Sequence, residues 1–546
     1  MRRVRAVYAL DWPPFQRRAD ALEYARVAGG KLAARATRVP SAAVAGIVTM
    51  TPKAGADRLR LPEAAAVFNS RLGTVWLRTL SSGLNFNPGY AGRIPLSHKP
   101  PSADLVRAVE QVIATKRSLS ARQMTCDDFR PSLFEEGATE AKVLGRTHRF
   151  IAAAWEETVR ALEIEAVIED LLKEHFEISD DAWAEVELEM GKPAAASPVT
   201  VAEITSTTKL SDHAEDEEED EEEPEARSLP AESDLEELAR QFGIHPRRLL
   251  SPEDLPSEAR SAIDALRNEL ARAFIADYVS LLVLRLFGHR FPLDEDAATR
   301  AGVEEDEDGI IPLTAGAGEK PLLERVRDEL ATEFAPEGAA AAEREIGQLL
   351  GKPLERWLET EFFRYHVGRF GKRPLVWQIQ TGKYSATRKP TLAVAVYAHR
   401  VNHDTLPKIR SQYLGTLRTR LETELRGIET KPVGEQSPGD RQRKTELDGS
   451  IAELVSFDLQ VEALILSGFS CPAIEGDTSS AYASLRRYSP HRDDGVRVNV
   501  APLQRAGILA AEVLAAKDVM KAITDRAAWQ TADAGALAGT KPSGGA

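Results

Sequence analysis

The sequence LVWQIQ at 375–380, followed by LAVAVY at 392–397, decides the fold of the most informative part of this chain. The first segment alternates, and the second is rich in valine and ends in tyrosine, which is typical of β-strands. Between them, GKYSATRKP at 382–390 contains the Gly, Ser and Pro of a turn. The stretch therefore predicts a β-hairpin with cations and a tyrosine at its tip.

Helices are predicted on both sides of this hairpin. An aromatic-rich helix precedes it at 357–370. After it, Asp404 or Thr405 is a suitable N-cap, Pro407 fits the first turn, and apolar residues recur at helical spacing up to Leu425. We therefore predict an ordered helix–hairpin–helix region.

The same region is strongly basic. Twelve Lys or Arg and a single acidic residue, Asp404, lie between Arg364 and Arg420, although the whole chain carries a formal net charge of −15. Such a window attracts a polyanion, because each neutralised phosphate releases counterions. The alternative is a solvated basic surface that holds acidic parts of the same chain.

We predict double-stranded DNA as the polyanion. Phosphate contacts are expected from the basic side chains of the region, which are Arg369, Lys372, Arg373, Lys383, Arg388, Lys389, Arg400, Arg410 and Arg418. Tyr384 or Trp377 would stack on a base. Asn85, Asn87 and Arg93, earlier in the chain, are further candidates for contacts to base edges.

Composition narrows the class of protein. With 546 residues and 43% hydrophobic residues, the chain can form several domains with real cores. Two distant cysteines argue against a disulfide scaffold and a Cys-rich metal site. No apolar run is long enough to span a membrane, and the N-terminal apolar stretch is too short for a secretory signal. We expect a cytoplasmic protein without a membrane partner.

The fold class predicted is α+β, predominantly α-helical and multi-domain. The predicted segments are a small mixed module at 1–100, a helical segment at 101–190, an acidic disordered linker at 191–232, a helical domain at 233–355, the basic region at 356–430, a C-terminal helical packing region at 431–530 and a disordered tail at 531–546. The linker contains nine consecutive acidic residues at 215–223, which solubilise it or compete with DNA for the basic region.

Three histidines fall in the basic window: His366, His399 and His403. The last two have the spacing of a helical metal pair, but they straddle a strand end and a helix cap. With no cysteine nearby we predict no metal site, and we favour stacking or phosphate contact. We predict no catalytic residue and no cofactor-binding residue in this chain.

The tetrad NPGY at 87–90 is similar to the Asn-Pro-Pro-Tyr loop of amino-group DNA methyltransferases, which holds a flipped base by its edge and face. Gly89 replaces the second proline, and no strand followed by a Gly-x-Gly turn indicates a cofactor pocket. An ordinary turn is the alternative interpretation of the tetrad.

Several blocks together resemble the PglX-like adenine-specific DNA methyltransferases of BREX-type phage defence. The matching blocks are 68–70 through 84–86, RIPL at 93–96, DGIIPL at 308–313, FF at 362–363 through His366, KRPLVW at 372–377, YAHR at 397–400 with DTL at 404–406, and DDGVRVN at 493–499. In this order they cover most of residues 60–505. The resemblance is to the family's C-terminal half.

The resemblance implies DNA target recognition in an antiviral setting. The family's cofactor-binding glycine motif and its Asn-Pro-Pro-Tyr loop belong to its other half, so those residues have no counterpart here. Methyl transfer would then need a separately encoded or missing catalytic half that binds S-adenosylmethionine, or other defence-system subunits. Two alternatives stay open: a self-contained but degenerate methyltransferase, and a non-enzymatic interaction protein.

Overall fold

The computed structural model describes residues 21–25, 34–37, 47–50, 60–80, 93–126, 129–134, 142–195, 229–291, 306–384, 388–432, 435–475 and 480–539. Within them the chain is predominantly α-helical with two small antiparallel sheets, which confirms the predicted fold class. No helix of the described part is both long enough and apolar enough to cross a membrane.

The N-terminal part begins with a three-stranded sheet and continues into helices. The strands pair in the order β2–β1–β3. The helices that follow bury a small core of their own beside the second half of the long helix at Val143–His175. These elements are β1 (Ala21–Ala25), β2 (Ala34–Thr37), β3 (Ile47–Met50), α1 (Arg60–Asn69), α2 (Arg71–Leu80), α3 (Ala103–Ser120), α4 (Val143–His175) and α5 (Asp180–Met190).

The middle part is built from long helices. Within the predicted helical segment at 101–190, Val143–His175 forms one long helix, α4. The last turns of the helix at Ser257–Leu286 are almost entirely buried, which explains their largely apolar sequence. The elements are α6 (Glu232–Phe242), α7 (Ser257–Leu286), β4 (Ile310–Pro312), α8 (Leu322–Leu350), α9 (Leu354–Thr360) and α10 (Phe362–Arg369).

The predicted hairpin is present as β5 (Val376–Gln380) and β6 (Ala393–Tyr397), which pair antiparallel with Val376 opposite Tyr397. The sequence did not indicate the third strand, β4, which pairs with the other edge of β6. Three residues are too few to show a period. Every residue of the three strands is buried.

The sheet separates two helical cores. Val376, Ala395 and Tyr397 face a core formed largely by α4, α7 and α8. Trp377 and Ile379 face the other core, formed largely by the helices after the hairpin. Since both faces are covered, the sheet is held rigidly, and its two ends are where its flanking residues can reach solvent.

The C-terminal part covers the second face of the sheet. A continuous helical segment starts with α11 (Thr405–Lys408), passes through a π-helical turn at Ile409–Leu414 and becomes α12 (Gly415–Glu429). It is followed by α13 (Pro438–Ser467), α14 (Pro472–Glu475), α15 (Ser480–Arg486), α16 (Val496–Arg505) and α17 (Ala516–Gly539).

Two sequence predictions in this part are wrong. The alternating VRVNV at 496–500 predicts a short strand, but it forms the first turns of α16, which packs closely against α17. Tertiary packing overrides the strand preference of valine there. The tail was predicted to be disordered from 531, yet α17 continues to Gly539. Its alanine-rich sequence has high helix propensity.

Candidate nucleic-acid interface

Several of the basic residues of 364–420 lie at two opposite ends of the β4–β6–β5 sheet. We call the loop that joins β5 to β6, at 381–391, the hairpin tip. At the other end, where β5 starts and β6 stops, the amide of Ala398 donates a hydrogen bond to the carbonyl of Leu375. We call this the basic end, and define it by Lys372, Arg373 and His399 together with His289 and Arg492.

At the hairpin tip, carboxylates from neighbouring helices accompany the cations. Arg388 forms an ion pair with Glu453 of α13, and Lys389 lies 3.1 Å from Glu359 of α9. Glu453 also accepts hydrogen bonds from the Thr381 hydroxyl and, at 3.2 Å, from the Thr391 amide. The tip is therefore anchored to two helices, and much of its positive charge is neutralised within the chain.

The other two tip residues differ in exposure. Lys383 is exposed. The Tyr384 ring lies half-buried under the guanidinium of Arg356, 5.2 Å from the ring centroid. Burial and then the nearby Glu359 carboxylate raise the pKa of Tyr384. A ring held against α9 has one face occupied, which limits its use for base stacking.

Arg369 is not on the surface as the sequence prediction required. Its side chain is 8% exposed, and its guanidinium makes a two-pronged ion pair with the fully buried Asp277 of α7, with N–O distances of 2.8 and 3.0 Å. Tyr365 donates to the same carboxylate at 2.8 Å. We therefore correct the role of Arg369 from DNA contact to a buried connection between α10 and α7.

Trp377 cannot stack on a base either. Its side chain is 1% exposed within the second core, and its indole N–H donates to the carbonyl of Pro374 at 3.1 Å. The aromatic residue was identified correctly as part of a strand, but the strand has no solvent-facing side. The prediction of Trp377 as a stacking residue is wrong.

Two of the predicted cations lie along the helical segment after the hairpin. Arg410 pairs with Asp458 at 2.5 Å and Glu462 at 3.4 Å, both on α13. Arg418 pairs with Glu422 one turn later, at 2.7 Å. The same helical segment lines an open groove of about 630 Å³ with Ser411, Gly415, Thr416, Thr419, Arg420 and Thr423.

The three candidates from the N-terminal part are separate from this surface in sequence. Arg93 is exposed and adjoins Ile94, which packs into the small core beside α1 and α3. Asn85 and Asn87, and with them the NPGY tetrad, lie outside the described residues.

At the basic end, the hydroxyl of Tyr397 joins two imidazoles. It lies 2.7 Å from Nδ1 of His289 and 3.2 Å from Nδ1 of His399. His289 follows the glycine that ends α7, and Phe287 stacks on the Tyr397 ring at a centroid distance of 5.6 Å. His399 is exposed, whereas Tyr397 is 6% exposed. A buried hydroxyl thus connects a half-buried imidazole to one at the surface.

Burial lowers the pKa of both imidazoles. The pKa of His289 falls to about 4, because of burial first and the neighbouring His399 second. The pKa of His399 is lowered by partial burial and then by the positive charge of Arg492. Arg492 comes from a 3₁₀ turn, Arg492–Asp494, almost a hundred residues later in the chain, and is exposed.

Arg400 connects the basic end to the loop before β4. Its guanidinium donates to the carbonyl of Asp306, and its stem packs on Gly309, where an added Cβ would lie 2.8 Å from the Arg400 Cβ. Gly309 also has φ +79°, which favours glycine. Burial and Asp308 raise the pKa of Asp306 to about 6. The YAHR and DGIIPL blocks are therefore in direct contact.

Lys372 and Arg373 complete the basic end. Both are exposed, just after α10 and before β5, and neither makes an ion pair within the described residues. The backbone of Lys372 is left-handed, with φ +58°. The YAHR and KRPLVW blocks thus meet at one end of the sheet, and Arg492, which directly precedes the DDGVRVN block, lies beside them.

Sequence reasoning missed His289 and Arg492. The Gly288–His289 pair after a buried apolar run indicates a helix end, but nothing in the sequence indicates that it reaches Tyr397. Within the described residues, no group of three or more His, Cys, Asp or Glu is arranged to hold a metal ion.

The fold and the site define a predominantly helical protein with a cationic surface at one end of a small sheet. No family model matches the chain. It is similar to the adenine-specific methyltransferase BrxX of Escherichia coli O9:H4 (strain HS), with 29% identity over 212 residues, which is 36% of this chain and 16% of BrxX.

A second relative has a corresponding name. The adenine-specific methyltransferase PglX of Lacticaseibacillus casei (strain Zhang) is 24% identical over 240 residues, which is 39% of this chain and 19% of PglX. The two matches confirm the resemblance to PglX-like adenine-specific methyltransferases. The aligned part spans less than a fifth of either relative's length.

Proposed function

We propose that this chain is the DNA-recognition and scaffold part of an adenine-specific DNA methyltransferase of a phage-defence, BREX-like system. The observation that carries the proposal is the similarity to BrxX and PglX, two proteins named as adenine-specific methyltransferases. The proposed partners are double-stranded DNA and either a methyltransferase catalytic half or other defence-system subunits.

We place the DNA contact at the basic end and not at the hairpin tip. A cation held by a carboxylate of its own chain adds little affinity for phosphate, because binding must first break that ion pair. Arg388, Lys389 and Arg410 are held in this way. Among the residues that the structure describes, no carboxylate forms an ion pair with the exposed side chains of Lys372 and Arg373.

The backbone of Lys372 supports this choice. A left-handed conformation costs a residue with a side chain roughly 1–2 kcal/mol relative to its preferred region, and glycine avoids most of that cost. Gly371, directly before it, has φ +54°. A lysine at φ +58°, where glycine would cost less, supports a role for its side chain at this position.

S-adenosylmethionine would be bound by the catalytic partner and not by this chain. The alternative, a self-contained degenerate methyltransferase, requires the isolated chain to bind this cofactor, which calorimetry detects directly. A non-enzymatic interaction protein is favoured by the pairing of tip cations with the chain's own carboxylates. That alternative requires DNA binding to be absent.

The test compares charge reversals at the two ends of the sheet. Affinity for a duplex oligonucleotide is measured by fluorescence anisotropy for K372E/R373E and for the tip variant K383E/R388E/K389E. A matched control, R160E/R260E, reverses two exposed cations on α4 and α7. We expect K372E/R373E to weaken binding at least about tenfold, since each lost phosphate contact removes counterion release.

The tip variant and the control should each change the affinity by less than about threefold, well under the value of a phosphate contact. If the tip variant lost as much affinity for the duplex as K372E/R373E, the result would show that the hairpin tip also contacts DNA. Equal affinity of the wild type and all variants would contradict a DNA contact on either end.

A further inference from the structure

We propose that His399, together with Tyr397, His289 and Arg492, forms a phosphate-binding site whose occupancy is coupled to uptake of one proton. This inference rests on the proposed function, because we take the bound phosphate to be a phosphodiester of DNA. The same chemistry would accept a free phosphate, and the test below separates the two sources.

The hydrogen bonds of Tyr397 fix the tautomer of the exposed imidazole. A hydroxyl has one hydrogen, so Tyr397 donates to one neighbouring Nδ1 and accepts from the other. The 2.7 Å contact to His289 is the shorter, as expected for a bond donated by a hydroxyl, and the 3.2 Å contact to His399 fits one donated by an N–H. We therefore assign the hydrogen of the neutral His399 ring to Nδ1.

With Nδ1 committed to Tyr397, the remaining nitrogen of His399, Nε2, is the position that exchanges a proton with solvent or a ligand. When neutral it holds a lone pair. When protonated it becomes a charge-assisted donor, and the bond to Tyr397 needs no rearrangement. The buried relay thus presents one reversible N–H donor at the surface of the basic end.

The surrounding charges select an anion. Arg492 and Arg400 lie near Tyr397, and Arg492 lowers the pKa of His399. Lys372 and Arg373 shortly precede Leu375, whose carbonyl accepts a hydrogen bond from the amide of Ala398, the residue before His399. A phosphate placed beside His399 reverses this electrostatic balance and favours the imidazolium. Phosphate oxygens also accept charge-assisted hydrogen bonds from Arg492 and protonated His399.

Other titratable groups nearby do not replace His399. His366 is buried behind His289, with Nε2 accepting from the amides of Leu375 and Val376, and burial lowers its pKa to about 3. Asp306 and Asp308 face the loop before β4 and are bonded to its amides. Within the described residues, the other charged groups close to the site residues along the chain are Arg290, His403, Asp404, His491 and Asp493, of which His403 pairs with Asp404 and His491 with Asp493.

The sign of the pH dependence follows from proton uptake. Free His399 has a lowered pKa and is neutral at pH 8, whereas the complex favours its protonated form. Affinity must therefore rise as the pH falls from 8 to 6, because the protonated fraction of the free protein rises. We expect the dissociation constant for duplex DNA to fall roughly tenfold over this range, the value of one charge-assisted contact.

The test measures duplex-DNA affinity at pH 6, 7 and 8 for the wild type, H399Q and H148Q. His148 is a matched control because it is an exposed histidine on α4, outside the basic end. We expect H399Q to lose the pH dependence and H148Q to keep it. Y397F, which removes the hydroxyl but keeps the ring, should reduce the pH dependence, and thermal melts check that it folds.

A second arm uses inorganic phosphate with thermal shift as the readout at the same pH values. If DNA binds and its pH dependence survives in H399Q, the phosphate site is contradicted while the proposed function stands. If DNA does not bind but phosphate stabilises the wild type more at pH 6 and H399Q does not respond, the proposed function fails and the site holds. If neither ligand binds, both are overturned.

Discussion

Arg369 is buried because it pairs with a residue far away in the sequence. Its partner Asp277 lies on α7, and both are buried in contact with Tyr365. Burial alone would lower the pKa of Arg369, but Asp277 outweighs burial and raises it. A charge window counts Arg369 as surface charge, because the acidic residue that neutralises it lies outside the window.

Replacing Asp277 with alanine should be strongly destabilising. It leaves the Arg369 guanidinium buried without its counter-charge, which costs about 3–5 kcal/mol in the free energy of unfolding. The control is Glu422→Ala, which breaks the half-exposed pair with Arg418 and should cost less than about 1 kcal/mol. Urea denaturation followed by circular dichroism measures both, and similar losses would contradict the structural role assigned to Arg369.

At the scale of elements, Glu453 decides the position of the hairpin tip. Burial acts to raise the pKa of Glu453, but the hydrogen bonds from Thr381, Arg388 and the Thr391 amide outweigh it and lower the pKa. A carboxyl with a lowered folded-state pKa stabilises the fold above its unfolded-state pKa. That contribution is lost as the pH falls through the lowered value.

Glu453→Gln should therefore loosen the tip without unfolding the sheet. Three hydrogen bonds to a charged group become weaker, and opening of 381–391 should become easier by about 1–3 kcal/mol. Hydrogen exchange of this segment at neutral pH measures the change, and the wild type should approach the variant as the pH falls below the ordinary pKa of a glutamate and through the lowered pKa of Glu453. Glu446→Gln, on the exposed face of the same helix, is the control. Protection of the tip that is unchanged in Glu453→Gln would show that other contacts hold it.

Periodicity predicted much of the fold at this scale. The hairpin, the long helices and the apolar face after Asp404 follow from local pattern, which the sequence contains. The strand β4 was missed because three residues show no period, and α16 was predicted as a strand because its valines alternate. Both errors come from information that only tertiary packing supplies.

The candidate site was less predictable than the fold. The sequence identified Lys372, Arg373, His399 and Arg400 as members of a basic window. The sequence could not show which cations of the window are held in ion pairs within the chain. Their partners Glu359, Glu453 and Asp458 come from helices on either side of the window. Nor could it indicate His289 and Arg492, which join the site only through the way the chain folds.

At the scale of the whole molecule, the sheet is a partition between two helical cores. Both faces of the sheet are covered by helices, so a ligand in solvent can contact the sheet only at its two ends. One end is anchored and largely neutralised, and the other presents cations beside a buried hydrogen-bonded relay. The central claim is that this second end holds a DNA backbone.

The salt dependence of duplex binding tests that claim most directly. The slope of log affinity against log salt concentration reports the number of phosphates neutralised, at about −0.9 per contact for duplex DNA. With Lys372, Arg373 and Arg492 in contact, we expect a slope of about −2.7 or steeper, and K372E/R373E should reduce its magnitude by about 2. A slope near zero for the wild type, or one that K372E/R373E leaves unchanged, would contradict the account.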